Sequence, residues 1–256
     1  MPPAVITYLD QTHLRDVANT SQEFECFPAD CHLLTSKNSS EYAKLLSSRK
    51  QPLTEIIYSE ENYVKRLAFV HTTYINVPNL LSSTGPTHNP DSSEFAEMHL
   101  PSSPPPAAPE ALLSRWRVLW GNWITLTEWH SAFLQKLKVS LDNDPDEIPD
   151  LFISSRTRLR SMYTKYCENH RKAALLATQH RDFFEELRIY FSDRDGILSH
   201  LMQPIQRIMR YQLPMVEVVK LTERANLSSL PIWRRALELM REIPRDAQLI
   251  LEVSHF

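Results

Sequence analysis

The chain has 256 residues, 42% of them hydrophobic, with 28 Lys+Arg against 31 Asp+Glu and a net charge of -3. A domain of this size buries roughly 70% of its unfolded surface, and the near-balanced charge supplies no global attraction toward nucleic acid. Only Gly85, Gly121 and Gly196 occur as glycines, all isolated, which excludes the Gly-rich loops that cradle phosphates, so any nucleotide involved is held by a partner.

Residues 1–50 show scattered polar groups and weak periodicity, and they read as a loosely ordered leader with a short helix around 40–46. From Pro52 the pattern changes. Leu53, Ile56, Ile57, Tyr63, Val64, Leu67, Val70 and Tyr74 recur every three to four residues, which predicts a helix of about six turns that ends at Pro78. Residues 82–109 are rich in Ser, Thr and Pro, including Pro104, Pro105 and Pro106. Prolines at this density remove backbone donors and hold the chain extended, so this segment is expected to be a loop inserted between helices, a spacer or a Pro-rich ligand.

A second long helix is expected from Glu110 to about Val139, with Trp116, Trp120, Trp123 and Trp129 on a broad apolar stripe that belongs to a core. The acidic turn at 142–150 closes it. Further helices are expected at about 151–170, 173–190 and 197–222, and a last one starts near Pro231, capped by Ser228 or Ser229. With no alternating strand pattern, the architecture is all-α, an elongated bundle of about six long helices. No apolar run reaches the roughly 18 residues of a membrane span. Cys26, Cys31 and Cys167, in a chain without a recognisable secretory leader, read as reduced thiols, and the protein is expected to be cytoplasmic. The paired Cys26 and Cys31 beside His32 form only half of a metal-ligand set. No cofactor or metal is expected.

The most informative stretch is 201–221. Leu201, Ile205, Ile208, Met215 and Val219 fall near one side of a helix, while Gln206, Arg210 and Pro214 follow one another at i, i+4 and i+8 as a polar ridge. Its pattern, Leu-x-x-Pro-Ile-Gln-Arg-Ile-x-Arg-Tyr-x-Leu from Leu201 to Leu213, resembles the third conserved region of the Dbl-homology (DH) domain. That domain is the module of exchange factors for Rho-family GTPases. Thr54-Glu-Ile-Ile-Tyr-Ser-Glu-Glu-Asn-Tyr-Val-Lys-Arg-Leu67 is similar to its first conserved region. Stretches 120–130, 162–169 and 240–247 resemble the second helix, the second conserved region and the last helix of the Trio/Kalirin-type members. The likeness runs from Leu53 to the C-terminus, apart from the proline-rich insertion. Domain organisation follows: a leader at 1–50 and a DH domain at 51–256, with its inserted loop at 82–109 and no pleckstrin-homology domain in sight.

The resemblance implies a function. A DH domain binds a Rho, Rac or Cdc42-type GTPase and remodels its switch I and switch II segments, so that GDP leaves and GTP enters with no covalent chemistry. Membrane contact is then indirect. Such a module must prefer the emptied GTPase, since only differential affinity shifts the equilibrium. The resemblance places Glu55 against switch I and Gln206 and Arg210 against switch II, with Gln248, Gln203 and Pro214 as further contact positions. Arg207 is expected to brace neighbouring helices and Tyr211 to belong to the core. Departures from the pattern are Gln203 in place of Lys, Pro214 in place of Leu, Gln248 in place of Asn and Leu249 in place of Asp. They keep open an alternative, a DH-like scaffold that binds a GTPase or another signalling partner without useful exchange.

Overall fold

A computed structural model of the chain describes residues 29–82 and 103–253. Two compact units divide the chain, Met1–Ser40 and Glu41–Phe256, and the architecture below is that of the second. The described residues contain helices and no strand: α1 (Ala29–Val70), α2 (Val77–Ser82), α3 (Glu110–Leu113), α4 (Trp116–Trp120), α5 (Trp123–Asn143), α6 (Ile148–Ser154), α7 (Arg156–Gln179), α8 (Arg181–Tyr190), α9 (Ile197–Arg210), α10 (Gln212–Arg224) and α11 (Leu230–Val253). A π-helical turn, His71–Ile75, follows α1, and a 3-10 turn, Pro145–Glu147, precedes α6. The fold is the expected all-α bundle. α11 packs on α6, α7, α9 and α10, while α7 also contacts α4 and α9.

Helix periodicity accounts for the core. From Leu53 onward the buried positions of α1 are Leu53, Ile56, Ile57, Glu60, Tyr63, Leu67 and Val70, the i, i+3, i+4, i+7 stripe of an amphipathic helix. Trp123, the centre of the aromatic stripe on α5, is fully buried and donates its Nε1–H to the Leu67 carbonyl at 3.2 Å. Trp116, Trp120 and Trp123 meet edge-on in sequence, the arrangement that ring quadrupoles favour.

Several boundaries differ from those expected. α1 runs through position 50, with Pro52 inside it, so no break separates a leader from the domain there. The core begins before Pro52: Arg49 is buried, donates from Nε to Thr222 Oγ1 at 2.8 Å and from Nη1 to Asp146 at 3.2 Å, and lies over the Trp233 ring. Pro78 occupies the first turn of α2, where its missing N–H costs nothing, rather than ending the preceding helix.

The second long helix is interrupted at Gly121, which adopts φ 52°, and a Cβ there would sit 2.9 Å from Asn169 Nδ2. Only glycine suits that backbone and that contact. The expected break near 171 is absent, because α7 continues to Gln179. The helix expected at 197–222 divides at Tyr211 into α9 and α10. Pro214 is the cause, since it cannot donate to the Arg210 carbonyl. Leu230 opens α11 with Pro231 next, and the Trp233 N–H donates to the Ser229 carbonyl at 3.1 Å. Of the expected loop, Ser82 ends α2 and 103–109 is non-helical; residues 83–102, and residues 1–28 with Cys26, lie outside the described residues.

Candidate functional site

A groove of about 620 Å³ lies between α1 and α9, with Glu55, Tyr58 and Arg66 on one wall and Gln203, Gln206 and Arg210 on the other. Glu55, Gln206 and Arg210 are exposed. Helix geometry explains this on both walls: Glu55, Tyr58 and Asn62 take the i, i+3, i+7 positions beside the buried stripe of α1, and Gln206 and Arg210 do the same on α9. Arg210 Nη2 sits 3.5 Å from Gln206 Oε1, at the outer limit of a hydrogen bond. The Glu55 side chain makes no hydrogen bond or ion pair among the described residues. These side chains remain available to a partner.

Beneath the groove lies a buried polar network. Glu60 is fully buried, and its Oε2 accepts from Arg207 Nε at 2.9 Å, Arg207 Nη2 at 2.6 Å and the Tyr211 hydroxyl at 2.5 Å. Its Oε1 lies 2.7 Å from His130 Nδ1, and His130 Nε2 lies 3.0 Å from the Tyr163 hydroxyl. Arg207 also donates from Nη1 to Ser59 Oγ at 2.8 Å and stacks over the Tyr211 ring at 4.1 Å. Burial alone would raise the Glu60 pKa, but the charges of Arg207 and His130 and the hydrogen bonds from His130 and Tyr211 outweigh it and hold the carboxyl at about 2. A buried ion pair of this kind is tolerable only when every lone pair and proton is used. Here it ties α1, α5, α7 and α9 together, so the two walls are held at a set spacing. Arg207 is thus the expected brace, and Tyr211, 1% exposed, belongs to the core.

A second buried chain joins the groove to the loop before α9. Asp193 Oδ2 accepts from the Tyr74 hydroxyl at 2.8 Å and lies 2.6 Å from His200 Nε2, while His200 Nδ1 lies 3.2 Å from Gln203 Nε2. Burial would raise the Asp193 pKa; the bonds from His200, the Asp195 N–H and Tyr74 lower it further than burial lifts it.

Three of the expected contact positions, Pro214, Gln203 and Gln248, are placed otherwise. Pro214 is buried beside Met215 rather than displayed on the ridge of Gln206 and Arg210. Successive i+4 steps rotate by about 40°, so a third member drifts off the face, and the break at Tyr211 separates it further. Gln203 does line the groove but is only 7% exposed, a floor residue instead of a protruding one. Gln248 is exposed on α11, where its Nε2 donates to Glu252 Oε1 at 2.9 Å, and it does not line the groove. Leu249 beside it is also exposed.

Sequence reasoning did not single out Glu60, His130 or His200. A signal was present. Glu60 interrupts the apolar stripe of α1 at a core position, and His130 does so on α5 between Leu126, Phe133 and Leu134. Cys167 is buried, and burial pushes its thiol up to about 11, far from nucleophilic use. Among the described residues no group of three or more His, Cys, Asp or Glu side chains could hold a metal ion, and no helix is long and apolar enough to cross a membrane.

A sequence model of the RhoGEF domain matches residues 53–248. The chain belongs to the RhoGEF domain family. Its relatives include Rho guanine nucleotide exchange factor 25 of Homo sapiens, 32% identical over 215 residues that cover 83% of this chain and 36% of that protein. The proto-oncogene DBL of Homo sapiens is 26% identical over 194 residues, 75% of this chain and 18% of that protein. The chain therefore spans about a third of the length of the human exchange factor 25 that it matches. Among solved structures, the DH domain of FARP2 superposes with a TM-score of 0.59 at 16% identity, covering 80% of this chain and 90% of that one. A structure of the Vav1 exchange factor gives a TM-score of 0.60 at 22% identity, over 81% and 50% of the respective chains. At these identities the likeness shows the shared RhoGEF fold. Within the family region fall both walls of the groove and the Glu60–Arg207 network beneath it.

Proposed function

We propose that this RhoGEF domain is a guanine-nucleotide exchange factor for a Rho-family small GTPase, and that the groove between α1 and α9 receives the switch segments of that GTPase. The observation that carries this reading is the convergence of Glu55 with Gln206 and Arg210, far apart in sequence, on one groove with solvent-facing side chains. The exposed carboxylate of Glu55 accepts from backbone N–H or hydroxyl groups of switch I. Gln206 and Arg210 meet switch II. Exposed Met202, Met209 and Leu213 follow the same side of α9 and the start of α10 and supply the apolar contact that a protein partner needs.

Exchange follows from shape and polarity, with no covalent step. Walls fixed by a buried ion pair cannot relax onto every conformation of a mobile switch, so they favour the conformation seen when nucleotide and Mg²⁺ have left. The product of that preference is GDP release, after which GTP refills the site. The same reading puts the protein in the cytoplasm, with membrane contact made through its GTPase.

Release of fluorescent GDP from purified Rho, Rac and Cdc42-type GTPases tests the proposal. Acceleration with at least one of them is the expected result. Binding without acceleration of any would replace an exchange factor by a scaffold.

A further inference from the structure

Polar side chains line almost the whole groove between α1 and α9. No aliphatic residue is among them, and only Tyr58 and Tyr63 bring rings to it. Tyr63 is 5% exposed and belongs to the core, whereas Tyr58 is 64% exposed. Met202, Met209 and Leu213 are exposed on α9 and α10 but do not line the groove. Tyr58 is therefore its accessible apolar surface. The Tyr58 hydroxyl makes no hydrogen bond among the described residues. Helix geometry sets this residue about 4.5 Å along α1 from Glu55, on the same face and one turn before Asn62. The backbone beneath it is braced, since Ser59 Oγ accepts from Arg207 Nη1 at 2.8 Å and Glu60 Oε2 from Arg207 Nη2 at 2.6 Å. The ring is thus presented from a fixed support.

We propose that Tyr58 is a specificity-determining anchor of the exchange site, selecting GTPases that bring an uncharged aliphatic side chain to pack on its ring. This rests on the exchange-factor reading above and deepens it. An aromatic residue encircled by polar groups has the form of an interface hot spot: burial of the ring supplies affinity, and the polar rim excludes water. Charge decides which side chain the ring receives. Exposed Lys65, Arg66 and Arg210 line the groove against one exposed carboxylate, Glu55, so a cation from the partner meets like charge, and an aliphatic group does not. A division of labour follows between Tyr58 and Glu55. Apolar contact is non-directional and is made with loaded and emptied GTPase alike, which lowers KM without raising kcat. The Glu55 carboxylate needs aligned donors, which a switch segment presents in one conformation, so it acts on kcat. A GTPase with a charged residue opposite Tyr58 is rejected at binding.

Three variants test it: Tyr58→Ala removes the ring, Tyr58→Phe keeps it without the hydroxyl, and Tyr58→Leu keeps apolar bulk without an aromatic face. GDP release from Rho, Rac and Cdc42-type GTPases is followed over a range of GTPase concentrations to separate KM from kcat. Binding of the nucleotide-free GTPase is titrated calorimetrically at several temperatures, with Glu55→Ala for comparison and thermal unfolding in parallel. Tyr58→Ala is expected to raise KM about tenfold with the best-served GTPase and to hold kcat near the parent value. Its heat-capacity change of binding becomes less negative, the mark of lost apolar burial. Tyr58→Phe and Tyr58→Leu recover most of the loss. A Tyr58→Leu loss that Tyr58→Phe escapes would mark a cationic or aromatic partner and overturn the aliphatic assignment. A fall in kcat rather than a rise in KM, a Tyr58→Phe as impaired as Tyr58→Ala, or parent-like KM in all three would overturn the anchor role, and the exchange reading then stands on Glu55→Ala alone. A parent that accelerates no GTPase overturns both.

Discussion

Glu60 and Arg207, 147 positions apart, meet in the interior with two hydrogen bonds, 2.9 and 2.6 Å, to a single carboxylate oxygen. Glu60 belongs to α1 and Arg207 to α9, the two helices whose outer faces form the groove. The pair is the joint between the walls. Removing one partner strands the other charge without solvent, so Arg207→Ala is expected to cost about 3–5 kcal/mol of stability. For a domain of this size that lowers Tm on the order of 10 °C. Urea unfolding with an unchanged m value measures it, and a loss under 1 kcal/mol contradicts the role.

Acid sensitivity follows from the same carboxylate. Its folded pKa is about 2 against an ordinary 4.5, so the folded state binds fewer protons than the unfolded chain between those values. The stability that Glu60 contributes is therefore complete above pH 4.5 and is lost as pH falls toward 2, about 3 kcal/mol in all. Unfolding free energies measured at steps from pH 6 to pH 2 show the slope. In Glu60→Gln that part of the slope disappears, although the variant is less stable at neutral pH.

Glu55 and Gln206 are exposed and lie outside the buried network. Their replacement by Ala leaves Tm within a degree or two, since surface changes of this type cost within about 0.5 kcal/mol. Exchange is a different matter. Loss of a hydrogen bond at the partner interface slows GDP release by about tenfold for each variant. Parent-like rates in both would remove the groove from the mechanism.

Leu213, 78% exposed in the first turn of α10, contributes nothing to the core. Leu213→Asp is expected to leave unfolding unchanged and to weaken GTPase binding by at least about fivefold, since it puts a hydrated charge into an apolar contact. Titration of the nucleotide-free GTPase, monitored calorimetrically, checks both affinity and stoichiometry. Unaltered affinity would place the partner elsewhere on α9.

Much of this was written in the chain. Apolar residues three and four apart marked the helical segments, and the Pro-Ile-Gln-Arg-Ile stretch marked the helix that forms one wall. Gln206 and Arg210 on that wall, and Arg207 as a brace, followed from spacing together with family resemblance. The breaks at Gly121 and Tyr211 were harder to place. A glycine or proline signals a possible interruption, but whether the helix yields depends on its neighbours, as Asn169 against Gly121 shows.

What the sequence determined by itself is the set of helices and the face that each turns inward, because a period of 3.6 residues is a local property of the chain. Tertiary structure alone decided which polar residues meet. Glu60, His130, Tyr163 and Arg207 come from four helices and form one satisfied network, and Gln203 sinks to the groove floor while Gln206, three residues on, stays exposed. The physical reason is that hydrogen bonds between distant segments depend on helix spacing and crossing, and those emerge only when the apolar faces pack against one another.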